Sequence, residues 1–234
     1  MKKRDITLDV VKAVVIMLMV FGHCIQYGSG KAILDSRGFL DNPVFLAIYS
    51  FHMPMFMLVS GYLFGGGVAK RTWIEQLIRL VQSLLVPMLC WAVIHFLILY
   101  IGAFRTGDPM SPVYAVKVFL SRLISDLWYL WALIYCSVFA TLVRRFFKDS
   151  PIVYLAALVL SFVLPDQYGL ALYKYMYPYF LIGYFAQSKQ WQRAIKAKKN
   201  TKNVLMATGI LFVVLLVFFR KEYLIYLGGH TLMR

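Results

Sequence analysis

Stretches of about twenty residues carrying almost no charge recur along this chain, and they leave it few possible folds. In a bilayer every backbone N–H and C=O must be satisfied within the protein, so only helices and closed barrels cross it. Runs of this length are helical, because a membrane-crossing strand needs only about ten residues. Apolar residues make up 61% of the chain and charged residues 15%, with a mean hydropathy of +0.70. A soluble domain is excluded, since apolar usage there stays near half. At about 20 residues per span plus loops, 234 residues accommodate roughly seven spans. The expected fold is all-α, a polytopic transmembrane helix bundle of about seven spans with a cytoplasmic N-terminus. The net charge of +15 would suggest nucleic acid in a soluble protein, but basic cytoplasmic loops account for it here, and nucleic-acid binding is discounted.

The first apolar run is anomalous. It reads Asp9-Val-Val-Lys12 and continues without charge to Gly22-His23. Lys12 and His23 are eleven residues apart, three helical turns plus about 20°, so they share a stripe and stand roughly 16 Å apart along the axis. An ionisable residue within a span costs at least ~2.5 kcal/mol to insert, so it normally faces the bundle interior or a wet cavity and marks function. A cleaved secretory leader is a poor fit, because Asp9 and Lys12 interrupt the run and Tyr27-Gly-Ser-Gly30 offers no small-x-small site. Cys24, Cys90 and Cys136 fall within expected spans and read as buried thiols rather than a disulfide framework.

The expected spans are residues 6–27, 44–64, 80–101, a fourth from Leu127, 152–164, 170–187 and 204–219, with an interfacial helix over 113–125. Gly65-Gly-Gly67 is expected to end the second, and Pro54 to kink it near Ser50. Trp73 to Gln82 forms an amphipathic approach to the third span, whose interior holds Pro87 and His95. Lys and Arg gather at Lys2–Arg4, Lys70–Arg79, Arg144–Lys148 and Lys189–Lys202, which fall on alternate connections and therefore on one side, the cytoplasm. The Leu127-Trp128-Tyr129-Leu130-Trp131 segment marks the outer interface.

No phosphate-binding loop, dinucleotide fingerprint or nucleophile elbow is present, and His23, His52 and His95 lie too far apart in sequence to make a local metal motif. No metal is expected. One imidazole acting as a general base suits the residues better, since its ordinary pKa near 6.5 fits proton abstraction from a hydroxyl at neutral pH.

Five stations carry a resemblance: Arg4-Asp5-x-x-x-Asp9-x-x-Lys12 with the run to Gly22-His23; Phe51-His52-Met-Pro54-Met-Phe-x-x-x-Ser60-Gly61-Tyr62-Leu63; Arg79 before Leu85-Val-Pro87; Leu127-Trp128-Tyr129-Leu130; and Tyr179-Phe-Leu-Ile-Gly183-Tyr184-Phe185. In this order they resemble the membrane acyltransferase family 3 proteins, which O-acylate sugars and related envelope molecules. The resemblance implies a single domain over residues 1–234 in a bacterial plasma membrane, with an acyl-CoA donor, acetyl-CoA above all, on the cytoplasmic side. The acceptor would be a hydroxyl of an envelope sugar, polysaccharide or lipid-linked glycan, and the surroundings membrane lipids. His23 would be the catalytic base and Lys12 and Arg79 donor-binding cations, with Asp9, His52, Gln82 and Trp128 in support. Two departures stand out. Gln82 replaces the second arginine of a pair spaced three apart, and about ten spans are usual in the family, so a C-terminally shortened chain is expected.

Blander readings stand beside these. Lys12 also fits a cation snorkelling to the near interface, His23 an interfacial histidine, His52 a partner for the Pro54 break, Arg79 an inside anchor, and Lys189–Lys202 a contact for anionic lipid. A proton-coupled transporter or exporter is the rival function, although neither an internal repeat nor a buried acid pair supports it. A non-catalytic remnant of the family is the third reading.

Overall fold

The computed structural model describes residues 6–28, 39, 41–68, 70–107, 110–125, 127–163 and 170–188. Among these the chain is helical without strands: α1 Ile6–Gly28, α2 Pro43–Val68, α3 Trp73–Leu80, α4 Val86–Arg105, α5 Pro112–Ser125, α6 Trp128–Phe147, α7 Pro151–Val163 and α8 Leu170–Ala186, with a π-helical turn at Val81–Leu85. This is a membrane protein. Among the described residues four stretches are long and apolar enough to cross a bilayer, Ile6–Gln26, Pro43–Val68, Trp73–Arg105 and Trp128–Phe147. The expected fifth and sixth spans, α7 and α8, have 13 and 17 residues, and the expected seventh, with the basic run Lys189–Lys202 and the cluster Lys2–Arg4, lies outside the described residues.

Three expectations need correction. Gly65-Gly-Gly67 does not end the second span, because α2 continues to Val68. The third span is longer than 80–101: α3, the π turn and α4 form one continuous helical stretch of 33 residues. Cys24 and Cys90 are exposed, and only Cys136 is a buried thiol.

The π turn has a local cause. Pro87 brings no N–H to the carbonyl of Ser83 and crowds it, so the helix widens there and Val86 N–H reaches Val81 O instead. Ser83 Oγ turns back to donate to Arg79 O at 2.6 Å. Upstream, Thr72 and Glu75 start α3 with a reciprocal capping box: Glu75 N–H donates to Thr72 Oγ1 at 3.3 Å, and Thr72 N–H donates to Glu75 Oε2 at 2.9 Å.

The described residues form two compact units. One holds the residues up to Gly66 together with those from Tyr179 on, and the other holds Gly67–Pro178. In the first, α2 and α8 cross at glycines. A Cβ on Gly61 would collide with the Phe180 carbonyl, and one on Gly183 with the Leu58 carbonyl, so backbone meets backbone there. Phe64 closes the crossing against Phe180 and Tyr184, and Met57 and Phe180 are fully buried.

In the second unit, α6 is the central element. One face, Cys136, Ser137, Ala140, Thr141 and Val143, is buried, and Thr141 Oγ1 on it donates within the helix to Ser137 O at 2.8 Å. Buried Tyr154 of α7 donates to Asp149 Oδ1 at 2.8 Å, while buried Tyr177 of α8 donates to Tyr154 O at 3.2 Å. Arg144 pairs with Asp149 at 3.2 Å across the tight α6–α7 turn, where Lys148 and Asp149 both adopt positive φ.

Candidate functional site

The first unit carries a set of polar side chains that lie on or beside an apolar span, and α1 supplies most of them. Among the described side chains of α1 only Val15 and Gly22 are buried, so most of its apolar surface faces outward. Near its start Lys12 Nζ lies 3.6 Å from Asp9 Oδ1, one turn earlier, and both side chains are about one-third exposed. That pairing offsets part of the cost of carrying a cation on an apolar helix.

Near the other end of α1, His23 is exposed and turns its Nδ1 inward along the helix. Gln26 Oε1 lies 3.2 Å from that nitrogen, and the hydroxyl of Tyr49 on α2 lies 3.4 Å from it. Tyr49 also donates to Gln26 Oε1 at 3.4 Å, which closes a triangle of three polar groups. Gly22 makes the approach possible, because a Cβ there would stand 2.8 Å from Tyr49 Cε2. The tyrosine ring therefore lies against bare backbone one residue before His23.

Tyr49 is held from the other side too. It stacks on buried Phe45 with ring centroids 4.0 Å apart, and the His52 ring stands edge-on to it at 4.6 Å. His52 is 1% exposed and places Nδ1 2.8 Å from Ile48 O, one turn back. His23 and His52 thus flank one tyrosine, the first exposed and the second enclosed.

The structure brings together Asp9 with Lys12, and His23 with His52 through Tyr49; it does not bring Lys12 to His23. They remain at opposite ends of α1. Arg79, Gln82 and Trp128 belong to the second unit. Arg79 and Gln82 are exposed, Arg79 in the last turn of α3 and Gln82 in the π turn, so the two occupy differently wound helix. Nearby, Gln76 is 3% exposed and accepts from Arg71 Nη1 at 3.5 Å. Trp128 is half-buried with its ring edge-on to Tyr129 at 6.3 Å. His95 is half-buried in α4. Among the described residues no three His, Cys, Asp or Glu side chains converge as a metal would require.

Sequence reasoning missed Gln26 and Tyr49. For Gln26 a signal existed, since it follows His23 by three residues and so shares its helix face. For Tyr49 there was none, because its contact with α1 depends on how α1 and α2 cross.

Residues 5–233 match the acyltransferase domain family. The chain is 27% identical over 223 residues to the nodulation protein NolL of Mesorhizobium japonicum, covering 94% of this chain and 58% of the relative. It is 32% identical over 192 residues to the nodulation protein NolL of Sinorhizobium fredii, covering 81% of this chain and 50% of that relative. The chain therefore spans little more than half the length of these curated relatives. No solved structure matches it. With the five sequence stations in order and nearly every residue inside the family match, the chain belongs to the acyltransferase-3 family.

Proposed function

We propose that this protein is a membrane O-acyltransferase that moves an acyl group, acetyl in the first instance, from acyl-CoA on the cytoplasmic side to a hydroxyl of an envelope sugar or lipid-linked glycan. It works as one membrane domain in a bacterial plasma membrane. The observation that carries this reading is an exposed imidazole, His23, near the end of an apolar helix and eleven residues beyond a lysine on the same helix, within a chain of this family.

In the reaction His23 removes the acceptor hydroxyl's proton as the oxygen attacks the thioester carbonyl carbon. A carbon–oxygen bond forms, the carbon–sulfur bond breaks, and the proton on the imidazolium passes to the departing thiolate. Lys12 and Arg79 offer positive charge to the donor's phosphates, and Gln82 offers hydrogen bonds without charge. Asp9 holds Lys12, while His52 and Trp128 support acceptor and base through their aromatic neighbours.

The test is transfer of labelled acetyl from acetyl-CoA to envelope glycans in membranes expressing this chain beside His23→Ala. General-base removal is expected to lower transfer by about 10²–10⁴-fold at equal membrane abundance. Transfer retained by His23→Ala overturns the assignment of the base. Absence of transfer from both proteins, each well inserted, overturns the enzymatic reading in favour of a non-catalytic member of the family.

A further inference from the structure

We infer that Gln26 is a positioning residue for His23, fixing its neutral imidazole in the tautomer that carries hydrogen on Nδ1 and a lone pair on Nε2, with Tyr49 fixing Gln26 in turn. The inference rests on the reading of His23 as the base.

The reasoning is one of donors and acceptors. Gln26 Oε1 has no proton to give and lies 3.2 Å from His23 Nδ1. If Nδ1 held a lone pair, two acceptors would face each other at that distance; with hydrogen on Nδ1 the contact is a hydrogen bond. The Tyr49 hydroxyl donates to the same Oε1 at 3.4 Å, an arrangement in which the amide presents its oxygen, not its NH₂, to the ring. Its own oxygen, 3.4 Å from Nδ1, is a second acceptor for the same hydrogen. Phe45, His52 and the bare backbone at Gly22 hold the Tyr49 ring in place. The neutral side chain of free histidine prefers its hydrogen on Nε2, the form in which that nitrogen could not accept a proton. An acceptor behind Nδ1 reverses that preference, as a base held by a third group requires.

Two readouts on the full chain in lipid bilayers test it. With ¹⁵N-labelled histidine, the His23 signal among the four histidines is identified by its loss in His23→Ala. It is expected in the Nδ1–H form, moving to the Nε2–H form in Gln26→Leu. In the transfer assay Gln26→Leu is expected to lower kcat by about 10–100-fold with little change in acceptor KM. Gln26→Glu is expected to restore most of kcat while shifting the acidic limb of the pH–rate profile to higher pH, because a carboxylate behind the ring favours imidazolium. A His23 signal already in the Nε2–H form, or one that Gln26→Leu leaves in place, overturns the inference whatever the kinetics. Transfer that survives His23→Ala overturns the base beneath it, and the nitrogen signals separate the two failures.

Discussion

Lys12 shows how a single residue carries two opposed demands. Its ammonium lies on an apolar span, where a cation at the helix centre costs at least ~2.5 kcal/mol, and Asp9 at 3.6 Å is an anion paired with it. If the charge serves only to anchor α1, Lys12→Met improves membrane insertion and leaves transfer unchanged. If it binds donor phosphate, Lys12→Met lowers kcat/KM by roughly tenfold or more, in line with ~1.5–3 kcal/mol for a hydrogen bond to a charged group, and Lys12→Arg recovers part of the loss. The second outcome is expected, read from acetyl transfer at matched protein levels. His23 and Lys12 were legible in the sequence because an ionisable side chain in an apolar run is conspicuous by chemistry alone. Tyr49 was not, since a tyrosine beside other aromatics has the ordinary composition of a span, and its role depends on where α2 crosses α1.

At the scale of elements, local signals and helix packing compete, and packing prevails at the glycines. Gly65-Gly-Gly67 has the composition of a helix end, yet α2 passes through it. A Cβ at Gly65 would stand 3.0 Å from the Tyr184 carbonyl oxygen of α8, so this glycine admits a neighbouring helix rather than stopping its own. Where no such neighbour intervened, local signals sufficed: Thr72 with Glu75 begins α3, Pro87 widens the helix after it, and the residues expected to form an interfacial helix became α5 within one residue. The glycines themselves can be sorted by experiment. Gly183→Val is expected to destabilise the protein by about 1–3 kcal/mol or more, because the added carbons meet the Leu58 backbone. Gly102→Ala, in α4 with nothing within 4 Å of the added carbon, is expected to be neutral or stabilising by up to ~1 kcal/mol. Thermal unfolding in detergent, followed by loss of the folded monomer, separates the two.

For the whole molecule, charge sets orientation while apolar length sets only that the chain crosses. The membrane class and the all-helical fold were legible because both follow from composition. The number of spans was less so: α7, with 13 residues, reads as a span by its hydropathy alone but is short of bilayer thickness. A reporter joined after Ser188 is expected to read cytoplasmic, and neutralising Lys189, Arg193, Lys196, Lys198, Lys199 and Lys202 to weaken that orientation. Equal readings from the charged and neutralised chains would remove those cations from the topology. The crossing of α2 and α8 imposes a different constraint, one on the sequences that can descend from this one. Gly61 and Gly183 each touch the opposite backbone, and no residue is smaller than glycine. An enlargement at either position therefore has no reciprocal reduction available at the other. A suppressor of Gly61→Ala or Gly183→Ala has to come from elsewhere in the helices, so the two positions are expected to stay fixed individually instead of drifting as a compensating pair.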